Sequence, residues 1–467
     1  MSGPRRPQRA TRVGLLLFAF AFAVMADPVS SIAYAIEAAL RALHDHLGLL
    51  VQTMALVLAI IYLVKVNYDQ LIHRFPEGGG AVAATGAAFG EGWAFLPLGA
   101  LIVDFVLTIA ISVAAAASAV IAYFPTLDSA RVPIALGLLC FVAGLTWFGH
   151  IGRSVFAWMT VGFIAAALPV IFLGFLAPQG MGDTPVTGVG GGVTAFTVIL
   201  AFPVAMALAT GIEAPASAIA QLGQLDDRHK ERFGHTTLWL TVLITAALTL
   251  SVSVIAVRLH VGLPNEGSTL IADVARTATG EGVWLALFQL TSSLLLLAAA
   301  SSSFQAGPGL LKALARHTRP SGEEVGILAP ALGRVNEHHT PYWSVVVYLG
   351  VSAAVVVAAG GHDQELVLFY AVAVFVSFLA GLLAMTRFSL REGDRKHLTI
   401  NAVGAVVVAF TIVVNLRRGY PIVALAAALG IAGLFFWLWH RLGRPRGIAM
   451  VEIEGERELG EEEDEGE

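Results

Sequence analysis

Apolar residues run along this chain in blocks long enough to cross a bilayer, each about 20 residues, separated by short polar connectors. Twelve blocks can be drawn, at 13–43, 47–68, 92–123, 131–149, 154–176, 193–222, 235–258, 282–306, 341–359, 364–387, 398–416 and 420–440. Most are too long and too evenly apolar for barrel strands, so the pattern predicts helices, numbered here as spans 1 to 12. Two blocks are interrupted. Span 1 reads LLLFAFAFAVMA-DPVSS-IAYAIEAAL, and span 6 reads AFPVAMALA-TGIEAPAS-AIAQL. Hydrocarbon cannot hydrogen-bond loose backbone, so such breaks are expected only where protein or a wet cavity surrounds them.

Composition agrees. The chain is 57% hydrophobic and 13% charged, with mean hydropathy +0.77, whereas soluble domains carry roughly a quarter charged residues. Of the 28 Lys and Arg residues, 22 fall on the side that holds both chain ends. That bias predicts a multi-pass protein of the plasma membrane with both termini cytoplasmic, and it supports an even number of spans. Spans 1–5 (residues 13–176) and 6–10 (residues 193–387) then make two five-helix halves. An odd count per half sets the second half against the first, a LeuT-like inverted repeat with broken first and sixth helices. Spans 11 and 12 (residues 398–440) stand outside the repeat, which leaves room for a homodimer. The basic start (1–12) and the acidic run GEEEDEGE (460–467) are expected to be disordered, with 441–467 an acidic cytoplasmic tail. The segment GLLKALARH, within 307–340, predicts a short amphipathic helix. The glycine-rich stretch 76–92 predicts a re-entrant turn, because no Lys-Ser/Thr follows to make a phosphate loop. Cys140, the only cysteine, is expected to be a buried, inert thiol.

Asp27 lies inside span 1, ahead of Pro28, which has no amide hydrogen and disfavours helical geometry in the residue before it. The backbone is expected to open there and free carbonyl oxygens beside the carboxylate. Ser30, Ser31 and, two turns on, Tyr34 add hydroxyls, and an all-oxygen set suits a hard cation. Asp27 could equally cap the second half-helix. In span 3, Asp104, Thr108 and Ser112 recur every four residues and form one polar stripe that must face protein. The two hydroxyls could also bond back to their own helix. In span 6, Thr210 and Glu213 flank Gly211, which permits unwound backbone. Glu213 and Asp104 are the candidate proton carriers, although Glu213 could simply bond loose backbone. Ser301, Ser302 and Ser303 end span 8 as either site hydroxyls or close-packing residues. The histidines at 44, 46, 73, 150, 229, 338 and 339 fall near connectors and make no metal site. There is no T-V-G-Y-G filter, no H-E-x-x-H motif and no soluble output domain, which argues against a channel, an intramembrane protease and a sensor.

The segments D-P-V-S-S-I-A-Y (27–34), F-P-E-G-G-G-A (75–81), D-F-V-L-T-I-A-I-S (104–112) and T-G-I-E-A (210–214) resemble the amino acid–polyamine–organocation (APC) superfamily of permeases. Within it they look most like potassium importers of the Kup and KimA type, closely over spans 1–3 and 6. The motif H-T-P-Y-W (339–343) resembles a general feature of the superfamily. The resemblance implies secondary active transport, not enzymatic turnover, and no cofactor. It places K⁺ at Asp27, Tyr34, Thr108, Ser112, Thr210 and Glu213, with H⁺ as the coupling ion. Those importers usually carry a large cytoplasmic carboxy-terminal domain, which this sequence does not show after span 12. An amino-acid or polyamine permease using the same site is the alternative. The expected partners are the bilayer and a monovalent cation or small molecule, and not nucleic acid. A carboxylate at residue 27 favours a cation, since it would repel an anionic substrate group.

Overall fold

The computed structural model describes residues 6–148, 153–182, 184, 195–223, 225–316, 326–455 and 457. They are helical, with no strand among the described residues. Ten helices are long and apolar enough to cross a membrane, corresponding to spans 2–8 and 10–12. Span 9 (Tyr342–Ala358) has 17 residues, about 25 Å at the α-helical rise and at the short end for a crossing. Span 1 makes the twelfth crossing in three pieces, Arg6–Val24, Ala26–Ser30 and Ile32–Ala42. The chain is therefore an all-α membrane protein whose two halves each open on a broken span.

Span 3 (Phe95–Tyr123) is the axis of the molecule. Its apolar window is 83% buried, against 28% for spans 5 and 12. Hydropathy cannot separate these cases, because lipid tails and a protein core reward the same side chains. Small residues let span 3 sit at the centre. At Gly99 an added Cβ would come 2.5 Å from the Ala428 carbonyl oxygen of span 12.

Several expectations are corrected. Cys140 is exposed on span 4 (Arg131–Trp147), a peripheral helix where an apolar residue can face outward as readily as inward. Residues 6–12 continue the first helix of span 1 and are not part of a tail, while residues 1–5 lie outside the described set. Residues 307–316 are not a separate amphipathic helix. They extend span 8, which runs Val283–Arg316. The glycine-rich stretch forms a ten-residue helix, Gly80–Phe89, tucked against span 10 (Asp363–Glu392). Part of the acidic end is folded as well. Residues 448–455 are helical, with Ile448, Val451, Glu452 and Ile453 buried.

A further helix, Leu270–Thr279, was not expected. It lies on the face opposite the chain ends. The Thr269 hydroxyl caps it by accepting from the Ala272 amide at 3.3 Å. Its apolar residues, Leu270, Ile271, Val274 and Ala275, recur at helical spacing, a signal present in the sequence but too short to read as a span. The Leu270 amide donates to Glu37 Oε2 at 3.0 Å, and Arg276 donates to the Ala122 carbonyl at 2.7 Å. These bonds seat the helix on spans 1 and 3 and close that face.

Candidate ion site at the two broken spans

The two breaks differ in kind. Span 6 unwinds fully. Its first helix (Ala195–Ala205) tightens into a 3₁₀ turn (Met206–Ala209), and Thr210 is then extended with ψ 144°. Gly211 follows with φ +77°, the left-handed region that glycine enters without steric cost, and a helix resumes at Ala214. Span 1 bends and does not unwind. Backbone bonds from Met25, Val29 and Ser31 reach the carbonyls of Ala21, Met25 and Asp27. The Asp27 carbonyl, expected to be freed, is occupied instead. It accepts from the Ser30 hydroxyl at 2.8 Å and the Ser31 hydroxyl at 3.2 Å. The serines stabilise the bend by bonding back one turn, which is what short hydroxyl side chains do within a helix.

The bends meet face to face. A Cβ on Gly211 would lie 2.6 Å from Pro28 Cδ and 3.0 Å from both Cβ and Cγ of Asp27, so only glycine permits this approach. Beside the contact, Ser31 Oγ lies 2.8 Å from Tyr34 Oη and 3.0 Å from Thr210 Oγ1, and Thr210 donates to the Ala207 carbonyl at 2.8 Å. Each hydroxyl has one proton to give. In the order that satisfies all three, Tyr34 donates to Ser31, Thr210 donates to the Ala207 carbonyl, and the single Ser31 proton is shared between Thr210 Oγ1 and the Asp27 carbonyl. This buried relay ties span 1 to span 6.

Three carboxylates sit beside it. Asp27, Asp104 and Glu213 line one cavity of about 120 Å³, room for several waters. Asp104 is 4% exposed, and Asp27 and Glu213 are half-buried at the cavity wall. Asp27 Oδ1, Asp104 Oδ1 and Glu213 Oε2 are buried without a hydrogen-bond partner among the described residues. Unsatisfied buried acceptors of this kind are uncommon and point to a missing donor or cation. From the acids the cavity runs past Ala23, Phe156, Ser302, Ser303, Gln221 and Gln305 toward the face that carries the chain ends. There it meets a fourth carboxylate, Glu452. No Lys, Arg or His is among its lining residues.

The sequence-predicted residues therefore fall into four groups. Ser31, Tyr34 and Thr210 form the relay, while Asp27, Asp104 and Glu213, together with Ser302 and Ser303, line the cavity. Ser30 serves the Asp27 backbone. Thr108 and Ser112 are buried on span 3, one and two turns beyond Asp104, and neither lines the cavity. Ser112 Oγ and Ser301 Oγ are buried without a hydrogen-bond partner among the described residues. Among the described residues no group of three His, Cys, Asp or Glu residues has the closeness of a metal site. Sequence reasoning missed Glu452, because an acidic run at a chain end reads as solvated.

A family model described as amino acid permease matches residues 15–439. The chain belongs to this permease family. It is thus a multi-pass membrane protein of a transporter family and a member of the APC superfamily. It is also 28% identical over 400 residues to the potassium transporter KimA of Bacillus subtilis. The match covers 82% of this chain and 63% of KimA, so the chain spans less than two thirds of that relative's length. Among solved structures, two mutants of the Eremococcus coleocola manganese transporter align over 95% of this chain and 98% of theirs. Their identities are 13% and 12%, and their TM-scores 0.46 and 0.45.

Proposed function

We propose that this protein imports potassium across the plasma membrane, coupled to protons, with both termini in the cytoplasm. The observation that carries the reading is the cavity at the two breaks, lined by carboxylates and by no basic side chain. Ionised carboxylates that line one cavity in a medium of low dielectric repel one another. A cation or protons among them remove that repulsion, whereas an anionic substrate group adds to it. Potassium is further supported by the likeness to KimA, whose name states potassium transport.

In this reading Asp27 and Glu213 supply charge to the cation. Tyr34 and Thr210 supply neutral oxygens once the relay re-sorts, while Thr108 and Ser112 lie buried on span 3 outside the cavity. Glu213 and Asp104 are the groups that take up and release the proton. The break in span 6 is a hinge as spans 1, 2, 6 and 7 rock against the rest, and the helix Leu270–Thr279 closes the outer side in the conformation described. The 22-to-6 partition of basic residues supports the cytoplasmic placement of the chain ends.

The family description favours a second reading, an amino-acid or polyamine permease using the same cavity. Expression in a bacterium deficient in potassium uptake separates the two. Growth on low-potassium medium that disappears with Asp27→Asn is the expected result. Verified expression without rescue, together with amino-acid uptake by proteoliposomes, would replace the potassium reading with the permease.

A further inference from the structure

The segment 447–455 follows span 12 and folds back to the cavity, which its Glu452 lines. It is anchored at its start, where Trp439 Nε1 donates to the Pro445 carbonyl at 2.7 Å and the Gly447 amide donates to Glu91 Oε1 at 2.9 Å. Its inner face is buried. Ile448 and Val451 are fully covered, Ile453 is 4% exposed and Glu452 6%. The receiving surface is cut for it by glycines. A Cβ on Gly86 would come 2.5 Å from Ala449 Cβ, and one on Gly79 would come 2.7 Å from Ile453 Cγ1. Gly455 rests against the Gly309 carbonyl of span 8. Such close approach of small residues is how helices pack tightly inside a membrane protein.

Glu452 is the end of this arrangement. Its Oε1 accepts from the Ser217 hydroxyl of span 6 at 2.5 Å, and its side chain lines the same cavity as Asp27, Asp104 and Glu213. The unpartnered buried oxygens of Asp27, Asp104 and Glu213 supply the independent sign that a positive ligand belongs in this space. The buried Lys312, on span 8 beyond Gly309, does not line it.

We propose that the strap 447–455 is a gate across the cavity mouth and that Glu452 is its cation-binding residue, the last ligand a monovalent cation meets before leaving. This rests on the cation reading given above. The gate and the ligand are one piece of chain, so lifting the strap removes a ligand and opens the path together. Release is thereby coupled to opening. Ser217, on the half-helix after the span 6 break, is the latch that reports the state of that half-helix to the strap.

The test uses the full chain carrying Cys140→Ser and Ala306→Cys in nanodiscs, with a cationic, membrane-impermeant methanethiosulfonate as label. Ala306 lines the cavity beneath the strap. The labelling rate is read with and without rubidium. Ending the chain after residue 446 is expected to raise the rate at least tenfold. Gly86→Val, which pushes Ala449 away while leaving the segment present, is expected to raise it as well. An unchanged rate in both overturns the gate. Glu452→Gln keeps the strap seated, since an amide oxygen still accepts from Ser217. It is expected to label as slowly as the parent but to need at least fivefold more rubidium for protection. The parent's rubidium dependence in Glu452→Gln overturns the role of the carboxylate. Rubidium without effect on the parent would instead overturn the cation reading, and the two strap variants would still decide the gate.

Discussion

Replacing Gly211 by alanine places one methyl group where the two broken spans touch. The residue has φ +77°, and a non-glycine residue there costs roughly 1–2 kcal/mol from backbone sterics alone. The new Cβ would also overlap Pro28 Cδ at 2.6 Å and Asp27 Cβ and Cγ at 3.0 Å. Proline cannot rotate away and Asp27 is held by its helix, so the overlap adds about 1–3 kcal/mol of overpacking strain. Even the lower sum, about 2 kcal/mol, lowers the equilibrium constant for the state in which the spans touch by a factor on the order of 30. Where transport passes through that state, uptake falls by up to that factor, with a lower unfolding temperature for the purified protein. Gly350→Ala is the control. It lies on span 9 with nothing within 4 Å of the added Cβ, and alanine gains up to about 1 kcal/mol of helix propensity there. Uptake and melting should match or exceed the parent. A Gly211→Ala protein that transports and melts like the parent would refute the close contact as a working part of the cycle.

Three further outcomes are expected. Thr210→Val removes the hydroxyl that bonds Ser31 and the Ala207 carbonyl; at about 1 kcal/mol per lost bond, the apparent potassium affinity drops at least fivefold in uptake assays. Asp104→Asn keeps shape and removes a group that can take up and release a proton, so potassium binding measured by thermal shift should survive while acceleration of uptake by an acidic exterior is lost. At the start of span 11 (Arg395–Leu416), Asp394 caps the helix, and its hydrogen bond to His397 holds its carboxyl below the usual carboxylate range. A lowered folded-state value means this stabilisation is present above the ordinary aspartate pKa, about 3.9, and is lost as pH falls through the lowered one. Asp394→Ala should therefore flatten the acid limb of the melting-temperature curve and leave the neutral limb parallel to the parent's.

The parts of this structure legible in the sequence are those set by the solvent. Lipid forces helices and marks their lengths, so the spans read correctly to within a few residues at most ends. The polar residues of the breaks were visible because apolar surroundings make them conspicuous. What stayed hidden depends on contacts between distant segments. Nothing local reveals that Ser30 and Ser31 occupy the Asp27 carbonyl and so convert an expected opening into a bend. The outward position of Cys140 was equally illegible, since lipid and core select the same side chains. Glu452 was hidden most completely. Its acidic neighbours signal a solvated tail, while the segment that carries it is seated by Ala449 and Ile453 against glycines at 86 and 79, far away in the chain.

The account depends on a cation being what the carboxylates at the two breaks hold. Uptake of radioactive rubidium into proteoliposomes tests this directly, with an imposed proton gradient and with potassium or amino acids as competitors. The prediction is saturable influx, faster with an acidic exterior, competed by potassium but not by amino acids, and lost in Asp27→Asn. Folded protein that moves no rubidium under any gradient, yet accumulates an amino acid, would contradict it.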